Sequence, residues 1–171
     1  LGVYGEDGKR IAVLFSHASH PVIVHWSSEA ITADYPGYAV GHLRNLLDRY
    51  SDARGILMFA QGCGANINAY PLQGGYGAAD AAGLSLAFAT GNALAEAETI
   101  SAVPLKARAL ILPLPLWHPS IETCKTLMEE EPDTRHRERL QRIIEGGEQE
   151  FLSFPMSAFA IGDELCIVSL P

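Results

Sequence analysis

Two histidines follow an apolar run and are the first candidates for chemistry. The run Ile11 to Phe15 leads into Ser16-His17-Ala18-Ser19-His20-Pro21. A neutral imidazole offers one lone pair to a metal ion or a proton, while an acceptor must hold its other ring nitrogen. In an extended strand, side chains three residues apart point to opposite faces. We therefore expect His20 to face a site and His17 to face packing; the alternative is a structural histidine whose ring bonds only to backbone.

A second candidate is the glycine- and asparagine-rich segment Gln61-Gly62-Cys63-Gly64-Ala65-Asn66-Ile67-Asn68, which follows another apolar run. Glycines let the backbone approach a ligand and present N–H groups as oxyanion donors, and the two asparagines supply amide contacts. Cys63 could act as a nucleophile beside a base, or be an ordinary small thiol. The segment predicts a binding loop, with the role of the thiol left open.

A carboxylate precedes the first predicted helix, in Thr32-Ala33-Asp34-Tyr35-Pro36-Gly37-Tyr38. The positive end of a helix dipole favours a carboxylate at this position. The functional alternative is that Asp34 orients an imidazole. Both interpretations fit the sequence.

The elements that must position these residues form a strand, loop, helix, strand unit. Leu1 to Tyr4 and Arg10 to Phe15 predict a hairpin whose second arm is a buried central strand. Pro36 to Tyr50 predicts an amphipathic helix, and Gly55 to Ala60 predicts a second buried strand. Because open α/β sheets place their sites at the carboxyl ends of strands, we expect His20 to lie against the loop from Gln61 to Asn68.

The remaining chain predicts a further set of helices and strands. Together with the first unit they indicate an α/β fold, a mixed sheet with packed helices. The predicted elements are a helix over Ala78 to Thr99, a strand over Ala102 to Leu116, two helices over Ser120 to Glu145 broken at Pro132, and a hairpin of Ala158 to Ile161 with Glu164 to Leu170.

Composition limits the classes of function. With 171 residues the chain fits one domain or a piece of one, and both ends look cut because it begins at Leu1 and stops directly after a strand-like run. The net charge of −8 argues against a nucleic-acid partner. No apolar stretch reads as a membrane span, so we expect a soluble chain. Three cysteines without CxxC spacing leave the compartment open, secreted or periplasmic locations included.

Taken together, these motifs resemble the neutral/alkaline (non-lysosomal) ceramidase family, and more closely its short bacterial ceramidase-like branch. The resemblance lies in the order and spacing of motifs from Arg10 to Tyr70: a strand ending in His20-Pro21, the Asp34 motif, a helix, and a strand running into Gln61-Gly62 with Asn66 downstream. It implies that residues 1–171 are a single fragment of a larger ceramidase-like catalytic domain, truncated at both ends.

The resemblance implies a zinc-dependent hydrolase of an amide bond in an N-acyl lipid, or of a related ester, with a small-molecule or lipid-like substrate. His20 matches a zinc ligand, and Asp34 matches the acidic residue before the helix. Asp34 and Asn68 are the expected catalytic residues. The strand-end loop matches the substrate-lining segment, with contacts from Gln61, Gly62, Cys63, Gly64 and Asn66.

This chain departs from the family pattern in three respects. Asn68 stands where the family carries a serine that assists catalysis. The family's other metal ligands fall before Leu1 and after Pro171, and His17 has no counterpart. Two alternatives therefore remain open: a cysteine hydrolase using Cys63 with His20 or His17 as base, and a non-catalytic binding domain of the same fold.

Overall fold

The chain divides into two compact units, Leu1–Glu98 and Thr99–Pro171. A computed structural model describes residues 1–25, 28–49, 55–100, 104–147 and 150–170. Each unit contains helices and a three-stranded sheet. The predicted α/β class with packed helices is confirmed.

The first unit contains a mixed sheet in the order β1-β2-β3. Strand β1 (Gly2–Tyr4) pairs antiparallel with β2 (Arg10–His17), and β2 pairs parallel with β3 (Ile56–Gln61). Helix α1 (Asp34–Asp48) crosses between the parallel strands, and α2 (Gly75–Ala95) follows β3. The predicted hairpin and the strand, helix, strand unit are confirmed.

The core of this unit lies between one face of the sheet and both helices. Val13 and Phe15 of β2 are buried against Ala39 and Leu43 of α1 and Ala87 of α2. The helices approach closely because their contact residues are small. This packing anchors the carboxyl ends of β2 and β3, where the candidate residues begin.

The prediction that these strands are buried on both faces is wrong. Both helices pack on the side that carries Val13, so the other side of β3 stays open, with Ile56 63% and Met58 44% exposed. Helix α1 also starts earlier than predicted, at Asp34 rather than Pro36. Its predicted end, Tyr50, lies outside the described residues.

The second unit contains an antiparallel sheet in the order β4-β5-β6 and a pair of helices. The strands are β4 (Leu105–Pro115), β5 (Phe151–Ile161) and β6 (Leu165–Ser169). Strand β5 begins at Phe151, well before the predicted Ala158. The prediction placed the start too late because serines and a proline interrupt the apolar pattern in the first half of the strand. The predicted start of β4, Ala102, lies outside the described residues.

The two helices of the second unit are α3 (Ile121–Glu130) and α4 (Thr134–Gly146). The predicted break at Pro132 is confirmed, and Asp133 caps α4 by accepting the backbone N–H of Arg135 at 2.7 Å. None of the helices that the structure describes has the length and apolar character needed to cross a membrane.

Candidate functional site

The two candidate segments leave the same edge of the first sheet. In the parallel ladder His17 pairs with Gln61, the last residue of each strand. Beyond the ladder, the backbone N–H of Gly62 donates to the carbonyl of His17 at 3.0 Å. The chain therefore brings the residues after β2 into contact with the loop after β3, as the strand order predicts.

His20 is held against this loop by its backbone and its ring. Its N–H donates to the carbonyl of Ile67 at 2.9 Å, and it forms a parallel bridge with Asn68. Nδ1 lies 2.7 Å from the carbonyl oxygen of Gly64. Because a carbonyl only accepts, Nδ1 carries the proton and Nε2 of the neutral ring carries the lone pair. The residue as a whole is exposed.

His17 lies on the helix side of the sheet rather than in its interior. The residue is exposed, and its ring meets the edge of Tyr35 with centroids 5.9 Å apart. The two histidines thus differ in surroundings, as expected, but His17 is not enclosed by packing.

Gln61 connects the two segments through its side-chain amide. Nε2 donates to the carbonyls of Ser19 and Gly62, both at 3.1 Å. This nitrogen is therefore occupied by the protein backbone. The oxygen Oε1 makes no hydrogen bond among the described residues and is the part of Gln61 that a substrate could use.

The glycines of the loop allow close contact between backbones. A Cβ on Gly64 would lie 2.9 Å from Nε2 of Gln61 and 3.0 Å from the backbone nitrogen of Ser19. A Cβ on Gly62 would lie 3.1 Å from Ala18. These glycines let the loop lie close against the residues after β2, and this contact positions His20.

The other loop residues singled out from the sequence face solvent. Cys63, Asn66 and Asn68 are exposed. Within the described part of the chain, the thiol of Cys63 forms no hydrogen bond to an imidazole. The asparagine amides are available for contacts with a substrate.

Asp34 is a buried carboxylate that organises backbone. Only 3% of the residue is exposed. Oδ2 accepts the N–H of Val24 at 2.7 Å, and Oδ1 accepts the N–H of Tyr35 at 2.8 Å. Its φ of +50° is tolerated by aspartate, and its own N–H donates to Thr32 at 3.0 Å. Both oxygens therefore bind backbone amides.

Sequence reasoning missed Tyr35. Its hydroxyl donates to the carbonyl of Ser19 at 2.6 Å, and its ring meets Phe59 edge-on at 6.1 Å. Burial, and secondly the charge of Asp34, raise the pKa of Tyr35. The sequence feature that could have identified Tyr35 is its position directly after Asp34.

The second unit contains a groove of about 660 Å³ beside α4. None of the candidate site residues predicted from the sequence lines it. Its walls are Met128, Pro132, Thr134, Arg137, Glu138, Gln141 and Arg142.

Comparisons of the chain with protein-family models, with curated proteins and with solved structures returned no match.

Proposed function

We propose that this chain forms part of the catalytic domain of a zinc-dependent hydrolase that cleaves the amide bond of an N-acyl, lipid-like substrate. The observation that carries the proposal is the 2.7 Å contact between Nδ1 of His20 and the carbonyl oxygen of Gly64. A metal-binding histidine typically donates its other ring N–H to such an acceptor, which fixes tautomer and orientation. The ceramidase-like order of motifs supplies the reaction class.

His20 can supply one ligand to a zinc ion, because its ring is held through Nδ1 and its Nε2 takes no part in the contact with Gly64. A zinc site uses three or more protein ligands. The described residues contain no group of three His, Cys, Asp or Glu side chains that could hold an ion. The proposal therefore takes the remaining ligands from other segments, as the resemblance implies.

The loop around His20 supports an amide substrate with an apolar chain. Asn66 and Asn68 present exposed amides that can bind a polar head. Three exposed apolar side chains lie between and after them in the chain: Ile67 is 45%, Tyr70 94% and Leu72 48% exposed. An apolar rim beside polar groups is typical of a surface that receives an amphipathic ligand.

The roles of the side chains follow from their contacts. When bound, zinc would lower the pKa of a water molecule to about 7 and polarise the scissile carbonyl. Nε2 of His20 would bind the metal, and Oε1 of Gln61 can accept the N–H of a substrate amide. Asp34 keeps the backbone at Val24 and Tyr35 in place, because its two oxygens accept their N–H groups.

The test uses the complete protein and an N-acyl substrate that releases a chromogenic amine. His20→Ala should lower turnover at least about 100-fold, since even indirect partners of a metal are worth 10- to 100-fold. Bound zinc should fall with it. His17→Ala is the matched control, because it removes an exposed imidazole three residues away. This variant should keep both turnover and bound zinc.

Two results would contradict the proposal. One is full zinc content and turnover in His20→Ala. The other is loss of turnover in Cys63→Ala with zinc content unchanged, which would favour a thiol nucleophile. Absence of hydrolysis by any variant or by the parent protein would favour a binding domain.

A further inference from the structure

The peptide unit that joins Ser19 to His20 is held on both sides. Its carbonyl oxygen accepts the hydroxyl of Tyr35 at 2.6 Å and Nε2 of Gln61 at 3.1 Å. Its N–H, contributed by His20, donates to the carbonyl of Ile67 at 2.9 Å. Ser19 itself is only 5% exposed, so water has little access to this residue.

We infer that Tyr35 is a positioning residue for His20, acting through the carbonyl of Ser19. The inference depends on the proposed role of His20 as a metal ligand. Rotation about the Cα–C bond of Ser19 moves both the Ser19 carbonyl and the Cα of His20, and so changes the contact between Nδ1 and the carbonyl of Gly64. A short hydrogen bond from a fixed hydroxyl opposes that rotation. Tyr35 touches no reacting atom.

Tyr35 is suited to this role because its own position is fixed. The residue is 3% exposed and stands in edge-to-face contact with Phe59 at 6.1 Å. Its backbone N–H is bound by the buried carboxylate of Asp34 at 2.8 Å. A phenol is protonated at neutral pH, as a donor to a carbonyl must be.

A neighbouring tyrosine on the same helix offers a matched control. Tyr38 is half-buried and packs against the cluster that contains Tyr35. Its hydroxyl makes no hydrogen bond among the described residues. Tyr38→Phe therefore removes a phenolic oxygen from α1 without touching the Ser19 carbonyl, whereas Tyr35→Phe keeps the ring and removes only the donor.

The experiment records the ¹⁵N resonances of the His20 imidazole in the metal-free chain, assigned by comparison with His20→Ala. In the parent chain the neutral ring should be mainly the Nδ1–H tautomer. Tyr35→Phe should lower the ratio of Nδ1–H to Nε2–H about 3- to 10-fold, the value of one net hydrogen bond. Tyr38→Phe should leave the ratio unchanged.

The outcomes separate this inference from the proposed function. An unchanged ratio in a natively folded Tyr35→Phe would overturn the positioning role and leave the metal role of His20 standing. If the parent chain shows mainly the Nε2–H tautomer, both fail, because the contact with Gly64 is absent. Should Tyr35→Phe not fold, Tyr35→Met removes the same donor with an apolar side chain in its place, and an unchanged ratio there would equally overturn the inference.

Discussion

The two units bury apolar residues to very different extents. In Leu1–Glu98, Val13, Ala39 and Leu43 are fully buried between sheet and helices. In Thr99–Pro171, Cys124 is the only buried apolar residue among those the structure describes. Strand β4 is as apolar in sequence as β2, yet every residue along it is exposed. Apolar sequence thus becomes core only where another element covers it.

The difference arises from the helices. Helix α2 buries the small residues Ala79, Gly83 and Ala87, and a Cβ on Gly83 would lie 2.4 Å from the Cβ of Tyr38 in α1. Helix α4, in contrast, is rich in charge and has no buried residue among those described. The candidate site belongs to the unit with the better core, where packed elements can hold side chains in fixed positions.

The largest expected effect tests this difference directly. Leu43→Ala should cost about 2–5 kcal/mol of the free energy of unfolding, because Leu43 is fully buried in the first unit. Ile111→Ala, in β4, should cost less than about 1 kcal/mol, because Ile111 is 69% exposed. Urea unfolding, with amide hydrogen exchange resolved by peptide, measures both changes and locates them in each unit. Similar costs for the two substitutions would show that β4 is covered in solution.

A smaller effect on stability is expected at Asp34 and Asp133, two aspartates that each accept a backbone N–H at the start of a helix. Asp34 uses both oxygens on two different N–H groups, and its site is buried. Asp34→Asn leaves one buried N–H facing an amide NH₂, so it should cost about 1–3 kcal/mol. Asp133 uses the single oxygen Oδ1 for both of its bonds in the exposed cap of α4.

The matched change Asp133→Asn should therefore cost only a few tenths of a kcal/mol, since asparagine caps helices about as well as aspartate. Thermal or urea unfolding of the two variants measures the contrast. Equal costs would mean that the second oxygen of Asp34 contributes nothing to stability.

The sequence predicted those parts of the fold that local pattern controls. The hairpin, the strand, helix, strand order and the break at Pro132 all follow from turn residues and apolar periodicity. Periodicity could not show that only one face of β2 and β3 is covered, because that depends on where α1 and α2 pack. The first half of β5 was missed since Pro155 and its serines hide the strand pattern.

For the candidate site, the sequence predicted which segments lie side by side but not which partner each side chain binds. Parallel pairing places His20 against the loop after β3, as strand order requires. The occupation of Gln61 Nε2 by backbone carbonyls depends on distances that spacing does not encode. The bond from Tyr35 to Ser19 was missed for the same reason, since the two residues are joined only by the fold.

The smallest predicted effect concerns the alkaline limit of stability, and it should be confined to the first unit because all six tyrosines precede Glu98. Burial, and then the charge of Asp34, raise the pKa of Tyr35 above its ordinary value of about 10. The folded state thus holds this proton more tightly than the unfolded chain, so the stabilisation is complete below about pH 10 and is lost as pH rises through the folded pKa. Tyr35→Phe should lower the free energy of unfolding by about 1 kcal/mol at neutral pH, because it removes the hydrogen bond to Ser19. Above about pH 10 the free energy of unfolding of this variant should fall less steeply with pH than that of the parent chain. Urea unfolding of both proteins between about pH 7 and pH 11 measures the two slopes, with Tyr38→Phe as control. Parallel decline of parent and Tyr35→Phe across that range would show that Tyr35 ionises equally easily in the folded and unfolded states.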